Sequence, residues 1–154
     1  MGQLSHSGTI TKLNRIAWLS KQDYNKEYEC LMHLFNKESL LECFHVLDKN
    51  KAVGIDGINK ETYGENLDAN LDDLLIRMKK MAYRPGPVRE VLIAKEGKPG
   101  ATRPLGISGF EDKIVQKMMQ RVLESIYEPI FLNCSYGFRP GKGGYFSNFG
   151  HLVS

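Results

Sequence analysis

Residues 83–107 carry the feature that most constrains the fold, two short extended segments joined by a turn. Side chains alternate between the two faces of an extended segment. The odd-numbered positions of the first segment therefore share one face: Arg89, Val91, Ile93 and Lys95. The even-numbered positions share the other face: Val88, Glu90, Leu92 and Ala94. The alternation predicts a β-strand with these two faces.

The turn and the second segment complete a predicted antiparallel β-hairpin. Residues 96–100, EGKPG, supply two glycines for unusual backbone angles and a proline with a fixed φ. Arg103 directly precedes Pro104, which favours an extended backbone and confines the segment to an edge or a short pairing. The hairpin presents Lys95, Lys98 and Arg103 at or near its tip, which suits a polyanionic ligand.

Length and composition set outer limits on the fold class. With 154 residues and 42% apolar residues, the chain is long enough for one domain with a modest core. It has no run of about 18 apolar residues and starts without the apolar segment of a signal peptide, so we expect neither a membrane span nor export. The three scattered cysteines form no CxxC pair, which favours reduced thiols and a cytoplasmic location over disulfides or zinc.

Positive charge is concentrated in the middle of the chain. Between Arg77 and Arg121 there are 11 Lys and Arg residues against 4 Asp and Glu residues, although the whole chain carries only +3. A basic region flanked by more acidic helices is typical of a phosphate-binding surface. A solvated, lysine-rich surface without a ligand is the alternative that charge alone leaves open.

Helical periodicity predicts four helices around the hairpin. They cover Thr9–Gln22, a segment from the N-cap Asn36 to Asp48, a segment from Leu67 to near Tyr83, and a segment from Ser108 to Pro129. We expect Trp18 to be a packing anchor rather than a stacking platform for bases. His33 and His45 are expected to be packed or surface residues, because neither has a partner at metal-ligand spacing.

The last predicted helix has two distinctive features. Ser108 and Glu111 have the spacing of a capping box. Seven residues form one apolar face: Ile114, Val115, Met118, Met119, Val122, Leu123 and Ile126. Lys113, Lys117 and Arg121 recur at a spacing of four and either face solvent or continue the phosphate-binding surface.

Two glycine-containing stretches are further candidates for backbone contact with nucleic acid. In residues 49–57, KNKAVGIDG, Gly54 and Gly57 allow close approach of another backbone, and Asp56 is expected to cap the next element or stabilise the loop. A plain helix-to-helix turn is the alternative. Residues 135–142, SYGFRPGK, combine glycines, an arginine and two aromatics suited to phosphate binding and base stacking. Their spacing is not that of a P-loop.

Together these motifs resemble the amino-terminal part of group II intron reverse transcriptases, the intron-encoded maturase family. The matching stretches lie in the family's order and cover roughly residues 10–142: KNKAVGIDG, YRPGPVREVLIAKEGKPGATRPLGI, EDKIVQ, LESIYEPIF and SYGFRPGK. The resemblance implies an α+β fold, with helix-rich fingers and an antiparallel hairpin of a right-hand polymerase. It divides the chain into a flexible end (1–9), the fingers (10–131), the start of the palm (132–142) and a divergent, disordered tail (143–154).

The resemblance also implies roles for individual residues. The fingers hairpin closes over the incoming nucleotide, whose triphosphate is held by Lys95 and Arg103, with Phe138 and Arg139 near the nucleotide pocket. RNA is expected to contact a set of residues on the loop, hairpin and last helix: Lys51, Gly54, Asp56, Gly57, Arg89, Lys98 and Lys113. Gln116 matches a recurrent position on the helix below the hairpin and is expected to be structural. The partners implied are intron or template RNA, a DNA primer and a deoxynucleotide, with no membrane.

Several positions depart from the family pattern. Proline usually stands where this chain has Ala94 and Ser108, and residues 143–145 replace the start of the next family helix. The complete family enzyme uses Mg²⁺ held by palm aspartates, and these 154 residues contain no such pair. We therefore expect a truncated or frame-shifted copy that is not catalytic alone. An RNA-binding module without polymerase activity and a non-functional remnant are the alternatives.

Overall fold

Helices and one antiparallel hairpin make up the regular structure in a computed structural model that describes residues 6–130. The helices are α1 (His6–Gln22), α2 (Lys37–Val46), α3 (Lys60–Gly64), α4 (Leu67–Lys79) and α5 (Phe110–Tyr127). Two short 3-10 helices lie between α1 and α2 (Leu31–Leu34) and directly after α5 (Glu128–Ile130). Strands β1 (Arg89–Ala94) and β2 (Thr102–Ile107) form a two-stranded antiparallel sheet. The predicted α+β composition is confirmed.

Local capping explains where α2 begins and α4 ends. The Asn36 side chain accepts a hydrogen bond from the Ser39 backbone N–H, and the Ser39 hydroxyl accepts one from the Asn36 N–H, so the predicted N-cap is confirmed. The prediction that the helix beginning at Leu67 continues to near Tyr83 is wrong. Helix α4 ends at Lys79, because Met81 adopts a left-handed backbone with φ 54° that breaks the helical ladder.

The described residues form two compact units, 6–31 with 119–130 and 32–118, whose boundary falls within α5. In the 32–118 unit, the core is built by α2, α4 and the first half of α5. Seven of its side chains are almost completely buried: Leu34, Leu40, Cys43, Leu71, Leu74, Ile114 and Met118. An aromatic cluster borders this core. The ring centroid of Phe110 lies 5.8 Å from that of Phe44 and 5.3 Å from that of Tyr63.

In the unit of residues 6–31 and 119–130, α1 packs against the Glu128–Ile130 turn. Helix α1 begins three residues earlier than predicted and buries Ile16 and Ser20, which lie one helical turn apart. The Tyr28 hydroxyl donates to the Ile16 carbonyl and lies 2.6 Å from the Ser20 hydroxyl. Trp18 is 61% exposed, so the prediction of a packing anchor is wrong. Trp18 lies two residues after Ile16 and therefore points away from the buried side of the helix.

The apolar face of α5 is only partly buried. Ile114, Val115, Met118 and Val122 are buried as predicted, whereas Met119 and Leu123 are about half exposed. His33 and His45 both lie at the surface. None of the helices in residues 6–130 has the length and apolar character needed to cross a bilayer.

Candidate nucleic-acid interface

The hairpin pairs β1 and β2 in a register that fixes which side chains are neighbours. Arg89 lies opposite Ile107, Val91 opposite Leu105, and Ile93 opposite Arg103. Directly opposed residues of an antiparallel pair project from the same face. Pro104 is accommodated because neither strand pairs with another strand within residues 6–130.

The two faces of the hairpin differ in burial and in charge. Val91, Ile93 and Ile107 are half-buried and share a face with Arg89 and Arg103. The predicted sharing of one face by Arg89, Val91 and Ile93 is confirmed. The other face, formed by Glu90, Leu92, Ala94, Thr102, Pro104 and Gly106, is exposed, and Leu92 keeps 63% of its surface in solvent. The arginines therefore project from the partly buried face of the hairpin, away from Glu90.

Lys95 and Arg103 are brought together at the tip end of this face. Lys95 follows Ile93 by two residues, so it lies diagonally across the ladder from Arg103, a separation of about 7–8 Å between Cα atoms in such pairs. Its backbone N–H donates to the Ala101 carbonyl at 2.9 Å, which closes the turn. Both side chains are exposed. They form two adjacent cations that one polyphosphate group can bridge.

The turn itself depends on glycine. Gly97 and Gly100 have φ values of 74° and 80°, a region that side chains with a Cβ rarely adopt. Lys98, between them, is exposed, and its backbone N–H donates to the Lys95 carbonyl at 3.3 Å. The predicted turn and the position of Lys98 at the hairpin tip are both confirmed.

The first end of the hairpin is tied to α5 by Asp112. This carboxylate is 8% exposed, and its Oδ2 accepts a hydrogen bond from the Gly86 backbone N–H at 2.9 Å. Its Oδ1 accepts a short hydrogen bond from the Tyr83 hydroxyl. Burial, followed by the bond to the Asp112 carboxylate, raises the pKa of Tyr83 well above its ordinary value.

The neighbouring Glu111 ties α5 to two other helices. Its Oε1 lies 2.5 Å from Nη2 of Arg77 on α4, and its Oε2 accepts a hydrogen bond of 2.9 Å from the Tyr63 hydroxyl on α3. Burial, and then the Glu111 charge, raise the pKa of Tyr63 strongly. The predicted capping box is therefore wrong, because the Glu111 carboxylate is used in these contacts and α5 begins only at Phe110.

The second end of the hairpin rests on the loop of residues 49–57. Gly54 is buried, and a Cβ placed on it would lie 2.8 Å from the backbone N and Cα of Gly109. The close backbone approach that Gly54 permits is thus made by the protein's own chain. Gln116 adds a hydrogen bond of 3.0 Å from its Nε2 to the Ser108 hydroxyl, in line with the structural role expected for it.

The other predicted RNA-contacting residues of this loop are accessible. Lys51, Asp56 and Gly57 are exposed, and Gly57 has a φ of 69°. Asp56 stabilises the loop, as one of its two expected roles requires, by accepting a hydrogen bond from the Ile58 backbone N–H at 3.1 Å. Lys113 is half-buried, and its Nζ donates to the Ala52 carbonyl, which fixes the loop to α5.

Some predicted site residues fall outside the described part of the chain. Phe138 and Arg139, together with the whole of residues 132–142 and the predicted tail 143–154, lie beyond residue 130. Within residues 6–130, no three His, Cys, Asp or Glu side chains come together in a way that fits a metal ion. The described residues therefore do not fit a Mg²⁺ centre.

Comparison with known proteins identifies the family. The chain is 33% identical to the group II intron-encoded protein LtrA of Lactococcus lactis subsp. cremoris over 135 residues, which are 87% of this chain and 22% of LtrA. The chain belongs to the group II intron-encoded reverse transcriptase/maturase family. It is also 34% identical over 139 residues to an uncharacterized 91 kDa protein in the cob intron of Schizosaccharomyces pombe, covering 84% of this chain and 17% of that protein.

The chain is also 41% identical over 138 residues to protein YkfC of Escherichia coli (strain K12), and the match covers 86% of this chain and 36% of YkfC. No protein-family model matches the sequence. The chain spans well under half the length of these relatives.

Asp112 and Gly86 are the site residues that sequence reasoning missed. The sequence contains two signals for them, an acidic pair in the first turn of α5 and a glycine between two prolines, Pro85 and Pro87. Neither signal names a partner, because the contact joins residues 26 positions apart. Only the packing of α5 against the hairpin root shows that they belong together.

Proposed function

We propose that this chain forms the nucleotide-binding fingers of a group II intron-type reverse transcriptase, with the hairpin holding the triphosphate of an incoming nucleotide. The observation that carries the proposal is that Lys95 and Arg103 are neighbours on one face of the hairpin. Lysine supplies a compact positive charge and arginine a planar fork, and the two together suit adjacent phosphate groups.

Template RNA is proposed to lie along the loop of residues 49–57. Lys51 and Gly57 are exposed there, and the loop is in backbone contact with the second end of the hairpin at Gly109. An RNA strand on this loop would therefore pass close to the base of the nucleotide-binding hairpin. Further phosphate contacts are assigned to Arg89 and Lys98, both exposed on the hairpin itself.

The experiment that tests this function measures the affinity of the 154-residue chain for a deoxynucleoside triphosphate, the matching monophosphate and the nucleoside. We expect affinity to rise with the number of phosphates. Lys95→Met should weaken triphosphate binding about tenfold, the loss expected for one contact to a charged group. Arg103→Lys should also weaken it, because the charge is kept but the planar fork is lost.

The matched control is Lys79→Met, which removes an exposed positive charge from the last turn of α4, outside the hairpin. It should leave the triphosphate affinity unchanged. Equal losses in Lys95→Met and Lys79→Met, the two variants that each remove one positive charge, would show a non-specific charge effect. Unchanged affinity in the two hairpin variants would show that the hairpin does not hold the triphosphate. Either result contradicts the proposed function.

A further inference from the structure

The direction in which the hairpin projects is determined at its base. Strands β1 and β2 pair only with each other among the described residues, and one of their faces is exposed throughout. A two-stranded ribbon is marginally stable by itself in water. The segment that leads into it is also well exposed between Lys79 and Arg89, apart from the half-buried Tyr83. Contacts at the base therefore decide where Lys95 and Arg103 are held.

Asp112 makes the polar contacts that fix the first end of this base. One carboxylate oxygen accepts from the Gly86 N–H and the other from the Tyr83 hydroxyl, so both oxygens bind the same incoming segment. A Cβ placed on Gly86 would lie 3.3 Å from Oδ2 of Asp112, so glycine is what allows this approach without displacement. A buried carboxylate requires such partners, and here all of them come from the hairpin base.

We infer that Asp112 is a positioning residue for nucleotide binding, which acts by holding the base of the hairpin so that Lys95 and Arg103 face one triphosphate. This inference rests on the proposed function for its ligand, but the positioning itself is a property of the fold. Asp112 lies 17 residues after Lys95 and 9 residues after Arg103 in the sequence. It acts on them through Tyr83 and Gly86.

The chemistry of the contact predicts how substitutions rank. A carboxylate offers two acceptor oxygens, and both are used here. Asp112→Asn keeps one oxygen for the Gly86 N–H, and its NH₂ group can donate to the Tyr83 hydroxyl oxygen. Asp112→Ala leaves both donors without their acceptor. Tyr83→Phe removes one of the two bonds and keeps the ring. The expected order of hairpin displacement is Ala largest, Phe intermediate and Asn smallest.

Glu111 provides the matched control on the same helical turn. Its carboxylate binds Arg77 and Tyr63, neither of which belongs to the hairpin base. Glu111→Gln therefore perturbs the packing of α5 on α3 and α4 and leaves both Asp112 contacts in place. A general loss of stability would affect this variant as well, whereas a loss of hairpin position would not.

The experiment measures the distance between spin labels at Glu96→Cys, in the turn, and Ala69→Cys, exposed on α4, in the full chain with its three native cysteines replaced. The distribution should be narrow in the parent, in Glu111→Gln and in Asp112→Asn. It should broaden in Asp112→Ala and, to a smaller extent, in Tyr83→Phe. An unchanged distribution in Tyr83→Phe, or in a folded Asp112→Ala, would overturn the inference.

Triphosphate affinity of the same variants separates this inference from the proposed function. We expect Asp112→Ala to weaken binding about tenfold and Asp112→Asn to restore most of it. If the parent chain binds no triphosphate, the proposed function fails, and the distance distributions still decide whether Asp112 positions the hairpin. If the distributions broaden while triphosphate affinity is unchanged, the positioning role in nucleotide binding is wrong.

Discussion

The affinity of the chain for single-stranded RNA should fall steeply as salt increases. Three of the residues expected to contact RNA are exposed cations: Lys51, Arg89 and Lys98. Lys113 is left out of this set because its Nζ donates to the Ala52 carbonyl. Each neutralised phosphate of a single strand contributes about −0.7 to the slope of log affinity against log salt, so three contacts give a slope of about −2.

The expected slope corresponds to a loss of about 20-fold in affinity between 50 and 200 mM monovalent salt. Fluorescence anisotropy of a labelled RNA measures it directly. Lys51→Gln should reduce the magnitude of the slope by about 0.7, whereas Lys79→Gln on α4 should leave it unchanged.

A flat titration would refute the phosphate-binding surface and favour the alternative of a remnant without RNA affinity. A steep slope that Lys51→Gln and Lys79→Gln reduce equally would refute the assignment of these particular residues, because the binding would then follow overall charge. A steep slope without any nucleotide affinity would favour the RNA-binding module over the nucleotide-binding fingers.

Other predictions concern stability. Burial and neighbouring carboxylates raise the pKa of Tyr63 and Tyr83, so the unfolded state loses its protons first as pH rises. The contribution of these tyrosines to the free energy of unfolding should be constant below about pH 10. Above that pH it should fall by up to about 1.4 kcal/mol per pH unit for each tyrosine. Urea unfolding at pH values up to about 11 measures this, and an unchanged free energy would argue against the raised pKa values. Asn36→Ala should cost about 1 kcal/mol in urea unfolding, and no loss would show that the cap is not formed. Gly54→Ala should lower the melting temperature more than Gly57→Ala, because an added Cβ meets backbone atoms at Gly54 and open space at Gly57. The reverse order would contradict the contact of Gly54 with Gly109.

Features set by neighbouring residues could be predicted from the sequence. The alternation from Arg89 to Lys95 gave the correct faces of β1, and the two glycines of EGKPG gave the turn. Asn36 gave the start of α2, because an N-cap depends on residues within one helical turn. Each of these predictions needs only the local chain and its steric preferences.

Features set by distant residues could not be predicted. The large apolar ring of Trp18 predicts a buried side chain. Whether Trp18 is buried depends on which side of α1 packs, and the structure leaves it exposed. The spacing of Ser108 and Glu111 suggested a capping box, but the Glu111 carboxylate instead binds Arg77 and Tyr63 from other helices. Gly54 was expected to admit a nucleic-acid backbone, and the structure shows the backbone of Gly109 there.

The central claim is that Lys95 and Arg103 act together on one triphosphate, and a double-mutant cycle tests it most directly. Triphosphate affinity is measured for the parent chain, Lys95→Met, Arg103→Met and the double variant. Two side chains that contact the same ligand group should show an interaction energy of at least about 0.5 kcal/mol, with the double variant losing less than both single losses combined. Losses that add within error, or no loss in either single variant, would contradict the claim.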